Sequence, residues 1–370
     1  MNIMLLLNQF KNFSLTAGKK LIEIAFIILL KLHISCFKKT NLKNINKIAI
    51  PLFAGIGDAI ILTTFLQNLK TIFPQAQVWI FELPRTKNIL RDTYPEFQFR
   101  TIDNIQSLKK FKGEFNLFIA PSRKMSHYMA ALFLKPAYFI GYNYSLKIRK
   151  KESHVLRYNR LAAHLGLEQL GRPALALAKY AIEKAHLHLQ PVFDQNPTII
   201  IGLIVGGRWP SKTYPQLYFN ELVEKLSGKY KSAVFILLGS DFDAGENIAK
   251  IHQRAYNYAG QYSIQETMGF IAHTDIIIGP DGGLLNVAMG MHKQIIGLFG
   301  SVDPQMIVPE NYLQDILFIK QCPFQPCYNE NHEPLCRMDR PYCIEIPVAT
   351  IFNKFEEICD RSFLHQRSSN

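Results

Sequence analysis

The chain has 370 residues, enough for two globular domains, because a domain commonly holds about 100 to 200 residues. Hydrophobic residues make up 48% of the chain and charged residues 19%, which excludes a disordered protein. The formal net charge of +13 suits an anionic partner: nucleic acid, an anionic membrane surface or a phosphorylated small molecule. The basic residues are not gathered beside an aromatic RNA-binding motif or a helix-turn-helix pattern, so we expect no nucleic-acid partner.

Residues 1–44 are predicted to form a basic amphipathic leader around the apolar stretch IEIAFIILLKLHI. The uncharged run at residues 24–30 is far shorter than the roughly 20 apolar residues that a spanning helix needs. A signal peptide also fits poorly, because no small-residue cleavage site follows the apolar stretch before Lys38 and Lys39. Two interpretations remain: a helix that lies on an anionic membrane surface, or an additional helix packed on the first domain.

The cysteines are concentrated near the C-terminus. Cys36 stands alone in the leader, and the other five of the six follow residue 320, which favours a reducing cytoplasm over a secreted disulfide scaffold. Four of them have the spacing C-x4-C-x8-C-x6-C, with His332 between: Cys322, Cys327, Cys336 and Cys343. Two interpretations stay open for this cluster, a structural zinc or iron site and free buried thiols.

From Lys47 onward, strands alternate with helices. KIAIPLF reads as a buried strand, AGIGDA as a glycine turn and ILTTFLQNLKTIF as a helix, followed by the strands QVWIFEL and FNLFIAP. Residues 145–184 look helical, and PVFDQNP at residues 191–197 breaks the pattern. The alternation predicts a parallel sheet with right-handed crossovers, and we assign residues 45–192 to a first Rossmann-like domain.

A second Rossmann-like domain is predicted at residues 193–346, with a C-terminal helix and tail at 347–370. TIIIGLIV, SAVFILLG, DIIIGPD and QIIGLFG read as its strands. The fold class is therefore α/β, with two parallel sheets that face a cleft. Ligands of such sheets bind beyond the carboxyl ends of the strands, so the loops there are the candidate site.

The first of these loops, AGIGDA, contains Gly57 and Asp58. The glycines permit a tight turn after the strand, and the helix that follows can present its first amides to an anion. Asp58 reads either as a general base in the cleft or as a helix N-cap. The loop lacks the full GxGxxG fingerprint, which argues against a nicotinamide cofactor.

Two loops of the second half suit a phosphate. GGRWPSKTYP presents Arg208, Ser211 and Lys212 before a helix, although it also reads as a solvated loop. In PDGGLLN, Asp281 and Gly282 precede an apolar helix whose N-terminus favours negative charge, although an ordinary αβ turn has the same pattern.

These loops, in this order, resemble glycosyltransferase family 9, the lipopolysaccharide heptosyltransferases. The similarity covers residues 47–357. It rests on IPLFAGIGDAILTTFLQNLKTIFPQAQV, on GGRWPSKTYPQLYFNELVEKL and on AGQYSIQETMGFIAHTDIIIGPDGGLLNVAMGMHKQIIGLFGSVDP, and the cysteine-bearing tail is similar too.

The resemblance implies a GT-B fold and an inverting transfer of heptose from ADP-heptose to the inner core of a lipid A glycolipid, without a catalytic metal. It implies that Asp58 is the base and that Lys212 binds the donor diphosphate. The donor's ribose and diphosphate would be held at the last turn, by Asp281, Gly282, Gly283, Leu284 and Asn286. The expected location is the cytoplasmic face of the bacterial inner membrane.

Two positions depart from the family pattern. The family usually has Ser or Thr where Gly282 stands and His where Asn286 stands, and an asparagine cannot carry a positive charge. The alternatives are therefore a related GT-B enzyme that uses another nucleotide sugar, as a hexose transferase or an epimerase, and a degenerate protein that binds a nucleotide without catalysis.

Overall fold

The computed structural model describes residues 16–36, 45–122, 124–142, 146, 152–167, 171–328 and 336–368. Two parallel sheets of six strands each form the framework of the described chain, and helices cover both faces of each sheet. No helix in these ranges is long and apolar enough to cross a membrane.

The first sheet contains the strands of the first half of the chain, in the order β1-β6-β5-β2-β3-β4. They are β1 (Ser35–Cys36), β2 (Lys47–Leu52), β3 (Gln77–Glu82), β4 (Gln98–Thr101), β5 (Leu117–Ile119) and β6 (Tyr138–Ile140).

The second sheet has the order β12-β11-β10-β7-β8-β9. Its strands are β7 (Ile199–Val205), β8 (Ala233–Gly239), β9 (Ala255–Asn257), β10 (Ile276–Pro280), β11 (Gln294–Phe299) and β12 (Ile316–Phe318). In both sheets the strand order reverses beside the first central strand, β2 or β7, and such a switch point opens a crevice at the carboxyl end of the sheet.

The α-helices of the described chain alternate with these strands. They are α1 (Thr16–His33), α2 (Ile56–Leu66), α3 (Leu69–Ile72), α4 (Met125–Leu134), α5 (His154–Leu165), α6 (Lys179–His188), α7 (Gln190–Phe193), α8 (Gln216–Lys229), α9 (Phe242–Ile251), α10 (Ile264–Ala272), α11 (Gly283–Gly290), α12 (Pro304–Ile307) and α13 (Val348–Ser368).

The central strands are apolar along most of their length, because both faces of a parallel sheet are covered. In β2, Ile48 to Leu52 are all buried, and β8 is buried from Ala233 to Leu238. The fold class predicted from the sequence is confirmed by this alternation of buried strands and helices.

The segment predicted as a leader is joined to the first sheet. Phe26, Leu30 and Ile34 are buried against the side of the sheet that α4 also covers. The strand β1 that follows adds to the edge of the sheet beside β6. The opposite side of α1 exposes Ile24, Ile28 and Leu32.

The prediction of helix across residues 145–184 is wrong for residues 171–178. Gly166 ends α5 in a left-handed conformation, with φ 98°. Backbone amides of residues 171–178 then donate to both halves of the molecule: Ala174 to the Thr63 hydroxyl at 3.0 Å and Leu175 to the Gly290 carbonyl at 2.8 Å. These long-range partners replace the hydrogen bonds of a helix, so the segment links the two sheets.

Candidate active site

Asp58 lies in the first turn of α2, directly after the carboxyl end of β2. The N-cap of this helix is Gly55, and Asp58 is three residues further on, where its Oδ2 accepts from the Gly55 amide at 3.4 Å. Asp58 is therefore not the N-cap itself, and its carboxylate closes the start of the helix from the third position. The same side chain faces the crevice.

Two side chains from other segments contact the Asp58 carboxylate. Lys124 Nζ, just before α4, is 3.4 Å from Oδ2, and His154 Nδ1, at the start of α5, is 3.3 Å from Oδ1. Burial acts to raise the pKa of Asp58, but His154, Lys124 and the Gly55 amide together lower that pKa far below its usual value. The carboxylate is therefore ionised, and it remains about a third exposed, at 32%, so a ligand can reach it.

Gly57 is one of the points where the two halves of the molecule pack closely at this site. A Cβ atom at this position would lie 3.0 Å from Nδ2 of Asn286, which belongs to α11. A Cβ at Gly283 would likewise lie 3.0 Å from the Ile56 side chain. Glycines at these positions let the turn before α2 and the start of α11 pack against each other.

The loop after β7 folds back on itself. Gly206 has φ 80°, a conformation that other residues rarely adopt, and a Cβ at Gly207 would lie 2.1 Å from the Lys212 carbonyl oxygen. A 3-10 helix at Pro210–Lys212 then directs Lys212 toward the end of β10. Arg208 is exposed on this loop.

Lys212 is already paired in this structure. Its Nζ lies 2.5 Å from Oδ2 of the buried Asp281, and it also lies 5.0 Å from the ring centroids of Trp209 and Tyr328. The two aromatic faces and the carboxylate all favour a positive charge at this point. The lysine and the aspartate predicted to hold different parts of the donor are thus neighbours.

Ser211 lies on the inner side of the same loop. Its buried hydroxyl pairs with that of Ser301 at 3.1 Å. Residue Ser301 also accepts, through its backbone carbonyl, from the amides of Cys327 and Tyr328. The Ser211 side chain thus faces the cysteine-bearing tail, and its donor-binding role stays a prediction.

The turn at residues 281–286 connects β10 to α11. Gly282 is the N-cap of α11 in an extended conformation, and a Cβ there would meet only the Pro280 carbonyl, at 3.7 Å. Asn286 is buried, and its Nδ2 donates to the Gly282 carbonyl at 2.8 Å. Leu284 packs against the core. Position 282 therefore has open space beside the helix N-terminus, whereas the Asn286 amide is engaged inside the turn.

The four tail cysteines converge on one cavity, which Ser211 also lines. Cys343 is buried, and burial together with the three neighbouring thiols raises its pKa to about 11, so this thiol is protonated. Within the described residues, no three His, Cys, Asp or Glu side chains have an arrangement that could hold a metal ion. His332 lies outside the described residues. The thiols as placed here do not fit a metal, and no step is assigned to one.

Several residues of this site carry no motif in the sequence. Lys124 and His154 are 66 and 96 positions from Asp58, in segments that the resemblance did not mark. Tyr328 follows Cys327, and only the folded tail brings its ring to Lys212. None of these has a motif of its own, so only tertiary structure identifies them.

Two Rossmann-like halves with parallel sheets, and with switch-point loops that meet in one crevice, define a protein of the GT-B class. The chain belongs to glycosyltransferase family 9 (heptosyltransferase): the model of that family matches residues 130–335, more than half of the chain. The resemblance drawn from the sequence is confirmed. The matched region includes Lys212 and Asp281, whereas Asp58 precedes it.

Curated proteins similar to this chain include heptosyltransferases. The chain is 26% identical, over 116 residues, to lipooligosaccharide heptosyltransferase 2 of Haemophilus influenzae, a match that covers 30% of this chain and 34% of the relative. The match therefore spans about a third of that curated relative's length.

Solved structures share the fold. The structure of E. coli ADP-heptose LPS heptosyltransferase II has a TM-score of 0.67 at 17% identity and covers 85% of this chain and 99% of its own. The iron-containing dodecameric glycosyltransferase TibC from enterotoxigenic E. coli H10407 has a TM-score of 0.55 at 14% identity, over 86% of this chain and 77% of its own.

Proposed function

We propose that this protein is an inverting glycosyltransferase that moves heptose from ADP-heptose to the inner core of lipopolysaccharide or lipooligosaccharide. Family membership supports the reaction class, and the solved E. coli relative is described as acting with ADP-heptose. One observation carries the proposal: the turn that bears Asp58 and the turn at residues 281–286 touch at Gly57, so an acidic group of one half and a lysine of the other serve one crevice.

Asp58 is the base in this proposal. An acceptor hydroxyl reaches its exposed carboxylate, which takes the hydroxyl proton as the acceptor oxygen bonds to C1 of the sugar. The bond between C1 and the diphosphate oxygen breaks on the opposite face, so the configuration at C1 inverts and the nucleoside diphosphate leaves with that electron pair.

The second half stabilises the departing diphosphate. Lys212 and Arg208 provide positive charge. The first backbone amides of α11, at Gly283 and Leu284, lie at a helix N-terminus and would donate hydrogen bonds to the diphosphate. Asp281 accepts hydrogen bonds from the donor's ribose. Because Lys212 is paired with Asp281, a diphosphate would draw part of this ammonium away from the carboxylate. All these contributions come from protein groups, and the proposed transfer uses no catalytic metal.

A panel of nucleotide sugars incubated with truncated core glycolipids, with products identified by mass, tests this function. A heptose added to the acceptor from ADP-heptose is the expected result. Transfer of another sugar would show that the donor is a different nucleotide sugar. An isomerised nucleotide sugar, formed without an acceptor, would identify an epimerase. Nucleotide binding without turnover on any acceptor would favour a degenerate binding protein, the reading that Gly282 and Asn286 motivate.

We also propose that α1 holds the protein on the anionic inner face of the inner membrane. Ile24, Ile28 and Leu32 are spaced four residues apart, so they form one exposed apolar line, and Lys31 is exposed beside it. Deleting residues 1–40 would also remove core residues, so the sharper variant replaces these three by Ser. It should lose sedimentation with anionic vesicles, whereas Ser at the equally exposed Leu187, Leu217 and Ile251 should not.

A structural zinc or iron at the four cysteines is a separate proposal. Their convergence on one cavity supports it, and TibC, which shares the fold, is described as iron-containing; the described side chains would have to rearrange to bind a metal. Metal analysis of protein purified without chelators, compared with the Cys336→Ser variant, tests it. If the wild-type protein holds less than about a tenth of an equivalent of either metal, and alkylation finds its thiols free, the cysteines do not form a metal site.

A further inference from the structure

The Asp58 carboxylate is contacted from a separate helix by His154. His154 approaches Oδ1 through Nδ1 at 3.3 Å, while Lys124 and the Gly55 amide both contact the other oxygen, Oδ2. The two oxygens are therefore held from different directions by three segments of the first half. The ring is largely buried, with 18% of its side chain exposed.

His154 occupies a well-anchored position. It is the first residue of α5, whose N-cap Ser153 accepts from the Leu156 amide at 3.2 Å. Immediately before the cap, the buried Glu152 receives two hydrogen bonds from Arg160, at 2.7 and 2.9 Å. These bonds fix the start of the helix, so the imidazole is placed before any ligand arrives.

The contacts around Asp58 are long, between 3.3 and 3.4 Å, and thus at the weak end of hydrogen bonding. Such contacts orient a carboxylate and still leave it able to accept from an incoming hydroxyl. Catalytic hydrogen bonds are often long before the substrate binds. The arrangement thus suits a base that must be both oriented and available.

We propose that His154 is a positioning residue for the transfer reaction: its Nδ1–H donates to Oδ1 of Asp58 and turns the carboxylate toward the acceptor hydroxyl. This inference rests on the proposed role of Asp58. In the reaction the hydroxyl proton passes to Asp58, the acceptor oxygen bonds to C1 and the diphosphate leaves. His154 keeps its protons throughout.

The surroundings of Asp58 give the proposal a pH signature. Among the described residues, its titratable or charged neighbours are Lys124, His154 and His127. His127 belongs to α4, and burial lowers the pKa of its imidazole to about 3. From the other half, α11 contributes Asn286, which does not titrate. Burial raises the pKa of Asp58, and His154 lowers it. Without His154 the pKa of Asp58 should therefore rise, and the acid limb of kcat/KM should move to higher pH.

The test compares four histidine variants of the full chain, with Asp58→Asn as a fifth, reference variant. His154→Ala removes the donor, His154→Asn keeps an amide N–H near the position of Nδ1, and His154→Gln moves that amide one carbon further. His164→Ala, in the last turn of the same helix, is the matched control. Turnover, the KM of the donor, the pH profile and the melting temperature are measured for each.

His154→Ala and His154→Gln should lower kcat by about ten- to a hundredfold, the value of a hydrogen bond to a charged group, with the donor KM within about twofold. His154→Asn should recover most of kcat, and His164→Ala should match wild type. If His154→Ala does not fold, the contrast between Asn and Gln still decides. The carboxyl ¹³C shift of Asp58, assigned by Asp58→Asn, should titrate at higher pH in the Ala variant whether or not a substrate is known.

Turnover of His154→Ala within twofold of wild type, with an unmoved acid limb or ¹³C titration, would overturn the proposal. Equal inactivity of the Asn and Ala variants would also overturn it, because the ring itself would then take part in the chemistry. An inactive Asp58→Asn beside a fully active His154→Ala removes this inference alone. An active Asp58→Asn removes the proposed base.

Discussion

The ammonium of Lys212 and the buried carboxylate of Asp281 form an ion pair with a distance of 2.5 Å between Nζ and Oδ2. Lys212→Ala should therefore have two effects. It removes a charge from the diphosphate, weakening donor use by about ten- to a hundredfold. It also leaves a buried carboxylate without its partner, a change that commonly costs about 3 to 5 kcal/mol of stability.

A double-mutant cycle separates these two effects. Lys212→Ala with Asp281→Asn should recover most of the lost melting temperature and should not recover donor affinity. If the single variant melts like wild type and binds every nucleotide sugar normally, Lys212 has neither role.

Replacing Asp58 by Asn keeps the size of the side chain and an oxygen that can accept from the Gly55 amide. We expect kcat to fall by about 10² to 10⁴, with near-normal melting and nucleotide affinity, because only the basicity is lost. Turnover within a few fold of wild type, measured on the same preparation, would reduce Asp58 to a residue that caps α2.

Gly57 and Gly55 provide a matched pair of substitutions. Gly57→Ala places a methyl group 3.0 Å from Asn286 Nδ2, whereas Gly55→Ala meets nothing within 4 Å. We expect Gly57→Ala to cost about 1 kcal/mol or more through overpacking and to lower turnover by separating the halves slightly. Gly55→Ala should leave turnover unchanged, and its only cost in stability should be the smaller one of placing Ala at the N-cap of α2. Equal melting temperatures and rates for the two variants would show that this contact between the halves is not maintained in solution.

Gly282→Ser tests the open space beside the N-terminus of α11. The added side chain has room, and its hydroxyl can donate to a diphosphate, so nucleotide affinity should rise by about ten- to a hundredfold, the value of a hydrogen bond to a charged group. Gly283→Ser is the contrasting control, because its Cβ would lie 3.0 Å from Ile56. Calorimetric titration with a nucleoside diphosphate measures both, and a weaker affinity of Gly282→Ser would mean that the donor itself fills this space.

The kinetic pH profile of the wild-type protein should remain flat on the acid side until below the ordinary range of an aspartate, near pH 4. The pKa of Asp58 is lowered, so the ionised base persists as pH falls, and activity is lost only near the lowered pKa. An acid limb of kcat/KM near pH 6, on protein that is still folded, would assign the essential base to another group.

The alternation of strands and helices, the switch-point loops and the family can all be predicted from the sequence. These signals are local. An apolar run such as IIIGLIV, or a glycine turn before an apolar helix, can be recognised without knowing which elements pack against it. The domain boundaries at residues 192 and 193 and the role of each site residue stay predictions.

Which charged groups come together could not be predicted from the sequence and depends on how the elements pack in the folded chain. Asp58 acquires its partners from segments 66 and 96 positions away, and Lys212 pairs with Asp281 from a different strand end. Residues 171–178 look helical by composition but form bonds to both halves instead. Such contacts depend on where separate elements dock, and docking is set by burial and shape across the whole chain, which no local pattern encodes.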